Sequence, residues 1–174
     1  FTTPFTYVAT AEVIALLGAT PIFVDVYDST FNIDCEKLEI AIQDTIKNGE
    51  LIPKAIIPVD LFGVPARYRL IDDIAKKYNL KVIEDAAQSF GGSISGKKSG
   101  TFSTVAAFSM NPMKSLGGLG ENGFVVTNSK KIYNKVKILR HAGTISDPKK
   151  IITNYCTEVS LNHKMDPLNA IFFI

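Results

Sequence analysis

Cysteine is scarce in this sequence: Cys35 and Cys156 are the only two in 174 residues, far apart and without CxxC spacing. That excludes a disulfide framework and a thiolate zinc site from the reading, and both are expected to be free thiols. No apolar run reaches the roughly 18 residues of a membrane-spanning helix, and no signal-peptide pattern opens the sequence. Nor is there a basic block interleaved with aromatics. The 19 Lys and Arg are nearly balanced by 17 Asp and Glu, and many fall in short pairs such as Lys97/Lys98, Lys130/Lys131 and Lys149/Lys150. Such pairs read as solvated faces and turns, so nucleic acid is not an expected partner. His141 and His163 have no companions at metal-ligand spacing and are read as structural. The expectation is a cytoplasmic protein that acts on small molecules, without metal, membrane or nucleic acid.

What is present is an ordinary globular composition, 46% hydrophobic and 21% charged, enough to bury a core. Helical and strand patterns alternate. Thr10 to Leu17 reads as a helix with Thr10 as N-cap and Gly18 as C-cap. Pro21 to Val26 reads as a short strand. Asp34 is placed to cap a helix whose Leu38, Ala41, Ile42 and Ile46 follow the helical period. Ala55 to Phe62 is a continuous apolar strand closed by Gly63 and Pro65.

A helix from about Arg67 to Tyr78 follows, with Leu70, Ile71, Ile74, Ala75 and Tyr78 on one face and Asp72–Lys76 and Asp73–Lys77 pairs on the other. Leu80 to Glu84, Val105 to Ser109 and Phe124 to Thr127 read as strands, and Lys130 to Arg140 as a basic helix. Ala142 to Thr157 is polar and reads as a loop. Apolar strands separated by amphipathic helices predict an α/β fold, a three-layer α/β/α sandwich around a mostly parallel sheet. The chain starts inside one apolar stretch and stops inside another, Leu168 to Ile174, so a piece of a longer polypeptide is expected.

Ligands of such folds sit beyond the carboxyl ends of the strands. That directs attention to Phe62–Pro65, Glu84–Gln88 and Ser109–Gly120. Asp85 at a hydrophobic strand end has two readings: it caps the following turn, or it faces a cationic ligand atom. The segment Ser109 to Gly120 (SMNPMKSLGGLG) leaves a strand, turns at Pro112, presents Lys114 and runs through three glycines. Lys114 is either an exposed turn lysine or an amine nucleophile partly desolvated by Met113 and Leu116. The GxxxxGK[ST] order of a P-loop is absent. Together, a strand-end carboxylate and a lysine in a glycine-rich turn suit pyridoxal phosphate. The lysine forms a Schiff base, and the carboxylate keeps the pyridine nitrogen protonated.

Six stretches in order carry a family resemblance: PFTYVATAEVIALLGATPIFVDV (4–26), FNID (31–34), KAIIPVDLFGVPA (54–66), VIEDAAQSFGG (82–92), FSMNPMKSLGGLGENGFVVTN (108–128) and LNHKMDPLNA (161–170). The sequence resembles the DegT/StrS family of pyridoxal-phosphate-dependent sugar aminotransferases. The resemblance implies the large domain of an aspartate-aminotransferase-like enzyme (fold type I), spanning residues 1–174 as a single unit. The N-terminal phosphate loop and C-terminal small domain of the family lie outside it.

The resemblance also implies roles. Lys114 would hold the cofactor as its Schiff base and move the proton, and Asp85 would pair with the pyridine nitrogen. Gln88 would sit near the ring's phenolic oxygen and Ser109 would bind the phosphate. Tyr7 would stack on the ring, and Asn162 would reach the phosphate of the neighbouring subunit, implying a homodimer. Glu121 is a candidate for substrate contact or an ordinary surface acid. Lys164 departs from the arginine usual in the family, and retention of Lys114 argues against the family's dehydratase branch, which has histidine there. The implied activity is amino transfer from an amino acid, glutamate, to a nucleotide-linked keto-sugar. Two alternatives remain open: another fold-type-I enzyme acting on amino acids, and a catalytically incomplete fragment.

Overall fold

The computed structural model describes residues 1–146 and 154–173. Its frame is a four-stranded sheet of β1 (Ala55–Ile56), β2 (Lys81–Asp85), β5 (Val105–Ser109) and β6 (Gly123–Thr127), side by side in that order. β1, β2 and β5 are parallel, and β6 closes the sheet antiparallel to β5. Two antiparallel hairpins lie apart from it: β3 (Ser93–Ile94) with β4 (Lys97–Lys98), and β7 (Thr144–Ser146) with β8 (Asn154–Cys156). The helices are α1 (Ala9–Leu16), α2 (Cys35–Asn48), α3 (Tyr68–Lys77), α4 (Lys130–Arg140) and the short α5 (Pro167–Ala170). The α/β expectation holds.

Side-chain alternation along the strands decides which face carries what. Ile56 and Val82 turn to one face, where α2 and α3 supply Leu38, Ile42, Ile71, Ile74 and Ala75 to the main core. Glu84 shares that face and Asp85 takes the opposite one, where α1 reaches it through Thr10. Helices therefore lie on both sides of the sheet.

Several sequence expectations shift. Pro21–Val26 forms no ladder; Phe23 bridges to Thr2 and Val26 to Ile33, each by a single pair. The apolar run 55–62 pairs over two residues and through a bridge from Val59 to Asp85, then curls into a 3₁₀ turn at Leu61–Gly63. Pro58 has no N–H to donate, which explains the broken ladder. Leu70 and Ile46 are exposed rather than in the core. Lys77 turns from Asp73 to Glu39 at 2.6 Å on α2. Part of the segment expected to be a loop, 142–157, is the β7–β8 hairpin, and its residues 147–153 lie outside the described ones, as does Ile174 at the end of the apolar stretch from Leu168.

Both thiols are free, Cys35 buried and Cys156 exposed. Among the described residues no helix is long and apolar enough to cross a membrane, and no cluster of His, Cys, Asp and Glu could hold a metal.

Candidate active site

Two parallel strands, β2 and β5, end side by side, and each delivers a candidate. Asp85 is in register with Ala107, and Ser109 lies two residues further along the same face. At about 3.3 Å per residue and about 4.8 Å between strands, their Cα atoms stand roughly 8 Å apart. Asp85 is anchored through its backbone: its N–H donates to Pro58 O at 3.0 Å, and its carbonyl accepts from Asp60 N–H at 3.0 Å.

The Asp85 carboxylate is half-buried. Oδ1 accepts from Ala87 N–H at 3.1 Å, so it does cap the following turn. Oδ2 accepts the Thr10 hydroxyl at 2.8 Å, and that hydroxyl in turn lies 3.1 Å from Thr6 Oγ1. Both donors are neutral, and among the described residues no basic side chain pairs with Asp85. A carboxylate so placed has lone pairs left for a cationic partner.

Thr10 is the residue that the sequence reading misassigned. The helix starts at Ala9 with Val8 in the N-cap position and no side-chain cap. Thr10 is inside it, 5% exposed, with its hydroxyl spent on Asp85. The available signal was a hydroxyl residue at the start of a helix apolar all round, ATAEVIAL, where a polar group that does not cap must find another partner.

Lys114 leaves β5 in a closed turn. Gly118 N–H donates to the carbonyl of buried Met110 at 2.9 Å, and Lys114 N–H to Asn111 O at 2.9 Å. Asn111 organises the turn: Oδ1 accepts from Met113 N–H at 2.9 Å and Nδ2 donates to Glu121 Oε1 at 2.6 Å. Glu121 is thus bonded to the lysine turn. Gly117 is required sterically, because a Cβ there would stand 2.6 Å from Pro112 O. Lys114 is half-buried, yet Met113 is 93% exposed and does not cover it, contrary to the desolvation expected from that flank.

The remaining candidates are spread around these two. Gln88 Oε1 accepts Phe62 N–H at 2.8 Å, which fixes the side chain against the turn after β1 and leaves Nε2 as its donor. Phe62 holds a left-handed backbone (φ 54°), a conformation costly for a bulky residue and concentrated at functional sites. Ser109 Oγ accepts Asn111 N–H at 3.2 Å, and its proton is available to another acceptor. Tyr7, 72% exposed, lies just before α1, and its carbonyl accepts Thr10 N–H at 3.2 Å. Asn162 is exposed; it bridges to His141, and its Oδ1 accepts Lys164 N–H at 3.4 Å. None of those contacts joins it to the other candidates.

Behind Asp85 lies a second acidic group that sequence reasoning passed over. Glu84 and Asp60 are fully buried. Burial pushes the Glu84 carboxyl up to about 7, with repulsion from Asp60 adding to it, and burial also raises Asp60.

The profile of the DegT/DnrJ/EryC1/StrS aminotransferase family matches residues 1–173. The chain is 49% identical over 138 residues to the UDP-2-acetamido-2-deoxy-3-oxo-D-glucuronate aminotransferase of Pseudomonas aeruginosa, covering 79% of this chain and 36% of that protein. To the GDP-perosamine synthase of Caulobacter vibrioides it is 36% identical over 165 residues, 95% of this chain and 41% of that one. A DegT DnrJ EryC1 StrS aminotransferase from Brucella abortus superposes with a TM-score of 0.90 at 42% identity, covering 98% of this chain and 44% of that chain. NtdA from Bacillus subtilis, solved with bound cofactor PMP, gives 0.81 at 30% identity, covering 97% and 36%. This chain thus spans well under half the length of each of these relatives. It has their α/β fold, and it belongs to the DegT/DnrJ/EryC1/StrS aminotransferase family.

Proposed function

We propose that the protein carrying this chain is a pyridoxal-phosphate-dependent transaminase that moves an amino group from an amino acid, glutamate, onto a nucleotide-linked keto-sugar. The observation that carries the reading is the half-buried Asp85 carboxylate. It stands at the end of a parallel strand, held by neutral donors among the described residues, beside the strand that leads into the Lys114 turn. The names of the relatives support the substrate class, since they act on UDP- and GDP-linked sugars.

The residues present fit the cofactor. Asp85 supplies an anion for a ring cation, Ser109 a hydroxyl donor for a phosphate, and Lys114 an amine on a sterically defined turn. Bound there, pyridoxal phosphate supplies an electron sink for the carbon that loses or gains the amine. Lys114 would hold it, and its amine would serve as acid and base for the proton at that carbon. Asp85 keeps the ring nitrogen protonated, and Thr10 and Ala87 fix the carboxylate against rotation. Gln88 Nε2 and Tyr7 would also contact the cofactor. Residues 1–174 form the large cofactor domain, a phosphate loop and a small domain complete the enzyme, and Asn162 serves the neighbouring subunit of a cytoplasmic homodimer.

The test uses the whole protein. Borohydride reduction in the presence of pyridoxal phosphate should fix the label on the peptide containing Lys114, and Lys114→Ala should abolish transamination. Label on another lysine would sink the assignment. Assayed with one amino donor, nucleotide-linked keto-sugars should turn over and plain α-keto acids should not; the reverse result favours an amino-acid enzyme.

A further inference from the structure

Asp60 and Glu84 take no part in the chemistry above, and each ties distant segments together. Glu84 accepts Gly100 N–H at Oε1 and Phe102 N–H at Oε2, the latter at 3.1 Å. Asp60 Oδ1 accepts Ala66 N–H at 3.0 Å and the Tyr68 hydroxyl at 2.8 Å, and Oδ2 accepts the Ser89 hydroxyl at 2.9 Å. The parallel bridge from Val59 to Asp85 turns Asp60 and Glu84 to the same face of adjacent strands, and Tyr68, which donates to Asp60, stacks at 4.6 Å on Phe102, whose N–H Glu84 holds. Their sequence neighbours are the site itself: Glu84 precedes Asp85, Ser89 follows Gln88, and Asp60 leads into the turn whose Phe62 N–H holds Gln88.

The charges around the pair offer no relief. Tyr68 from α3 has its ionisation pushed well up by burial and by these same acids, and Asp85 from β2 is another acid. Lys97 from β4 lies over the Phe102 ring at 5.3 Å rather than on either carboxylate. Among the described residues neither carboxylate has an ion pair. Two ionised carboxylates buried on one face of adjacent strands repel strongly, and one proton held between them removes the conflict. Asp60 accepts three hydrogen bonds from other groups and Glu84 two, so the charge rests on Asp60 and the proton on Glu84.

We propose that Asp60 and Glu84 share a single proton and act as a positioning pair, locking the strand end that carries Asp85 to the turn that holds Gln88. The shared proton stands apart from the cofactor; only its consequence for Asp85 and Gln88 rests on the functional reading. The folded protein keeps this proton up to about pH 7, whereas an unfolded glutamate releases it near 4.5. Between those values the native state binds the extra proton, so stability is greatest below the window and falls as pH rises through it.

Infrared difference spectroscopy across the window should show a protonated-carboxyl band that titrates near 7. Glu84→Gln should delete the band. Asp60→Asn should move its midpoint down towards the ordinary glutamate range, because an amide can donate to Glu84 without a second charge. Amide exchange at Phe62, Gly100 and Phe102 should accelerate above the midpoint by roughly tenfold in the wild type relative to Asp60→Asn at the same pH. Absence of the band at mildly acidic pH, or a midpoint unmoved in Asp60→Asn, overturns the shared proton. A titrating band with Phe62 exchange unchanged overturns the positioning role. Both measurements are made without cofactor, so a protein that fails to bind pyridoxal phosphate loses the functional reading and leaves this one standing.

Discussion

Thr10 contributes one hydroxyl, and that hydroxyl holds the carboxylate on which the site depends. Its bond to Asp85 Oδ2 is 2.8 Å long and the residue is 5% exposed, so no water can replace it cheaply. Thr10→Val keeps the shape and deletes the donor, and hydrogen bonds to charged groups are worth about 1.5–3 kcal/mol. Pyridoxal phosphate bound by the whole protein should weaken by roughly tenfold or more, and Thr10→Ser should recover most of the loss. A fluorescence titration of the three proteins decides it; equal affinities would remove Thr10 from the site. Asp85 and Lys114 could be singled out in the sequence because strand ends and glycine-rich turns leave local signatures. Thr10 could not, because it meets Asp85 across 75 positions and its own neighbourhood suggests a cap. Asp60 and Glu84 were hidden for the same reason, since their pairing exists only once β1 and β2 lie side by side.

Elements with a strong local code came out of the sequence nearly unchanged. α2 begins where Asp34 says it should: Oδ1 accepts Glu36 N–H at 2.9 Å and Lys37 N–H at 3.2 Å. Its other end is Gly49 in the left-handed conformation, φ 72°. Asp34→Ala removes two bonds to otherwise orphaned N–H groups and should cost about 1 kcal/mol, read as a lower urea midpoint with an unchanged slope. A shift within error would mean that packing of Leu38 and Ile42, both fully buried, sets the helix start without the cap. α4 and β5 also match their sequence bounds, because the helical period and a short apolar run are local signals. The failures have a common cause too. Pro21–Val26 has strand composition but meets its neighbours only through isolated bridges at Phe23 and Val26, and the β7–β8 pairing spans residues too polar to announce it. Strand formation is a property of two segments, and one-segment patterns cannot fix it.

At the scale of the whole molecule, α1 is the part least explained by this chain alone. Apart from Thr10 and Glu12 its sequence is apolar, yet Val13, Leu16 and the following Leu17 are 48%, 81% and 84% exposed. A helix of that character belongs inside a protein or an assembly. The homodimer proposed above would cover such a surface and would give a role to Asn162, whose exposed side chain accepts a 3.4 Å bond from Lys164 N–H. If Asn162 serves the neighbour's cofactor, the defects of Lys114→Ala and Asn162→Ala reside in opposite subunits of each site. Mixing the two inactive proteins under conditions that exchange subunits makes a heterodimer with one site lacking both residues and one site intact. Random pairing puts half of the dimers in that state, so activity should return to roughly a quarter of wild type. If Asn162 instead serves its own subunit, one heterodimer site lacks Lys114 and the other lacks Asn162, and mixing restores nothing. The recovered activity therefore reports whose phosphate Asn162 reaches, which neither its sequence neighbourhood nor its local hydrogen bond can decide.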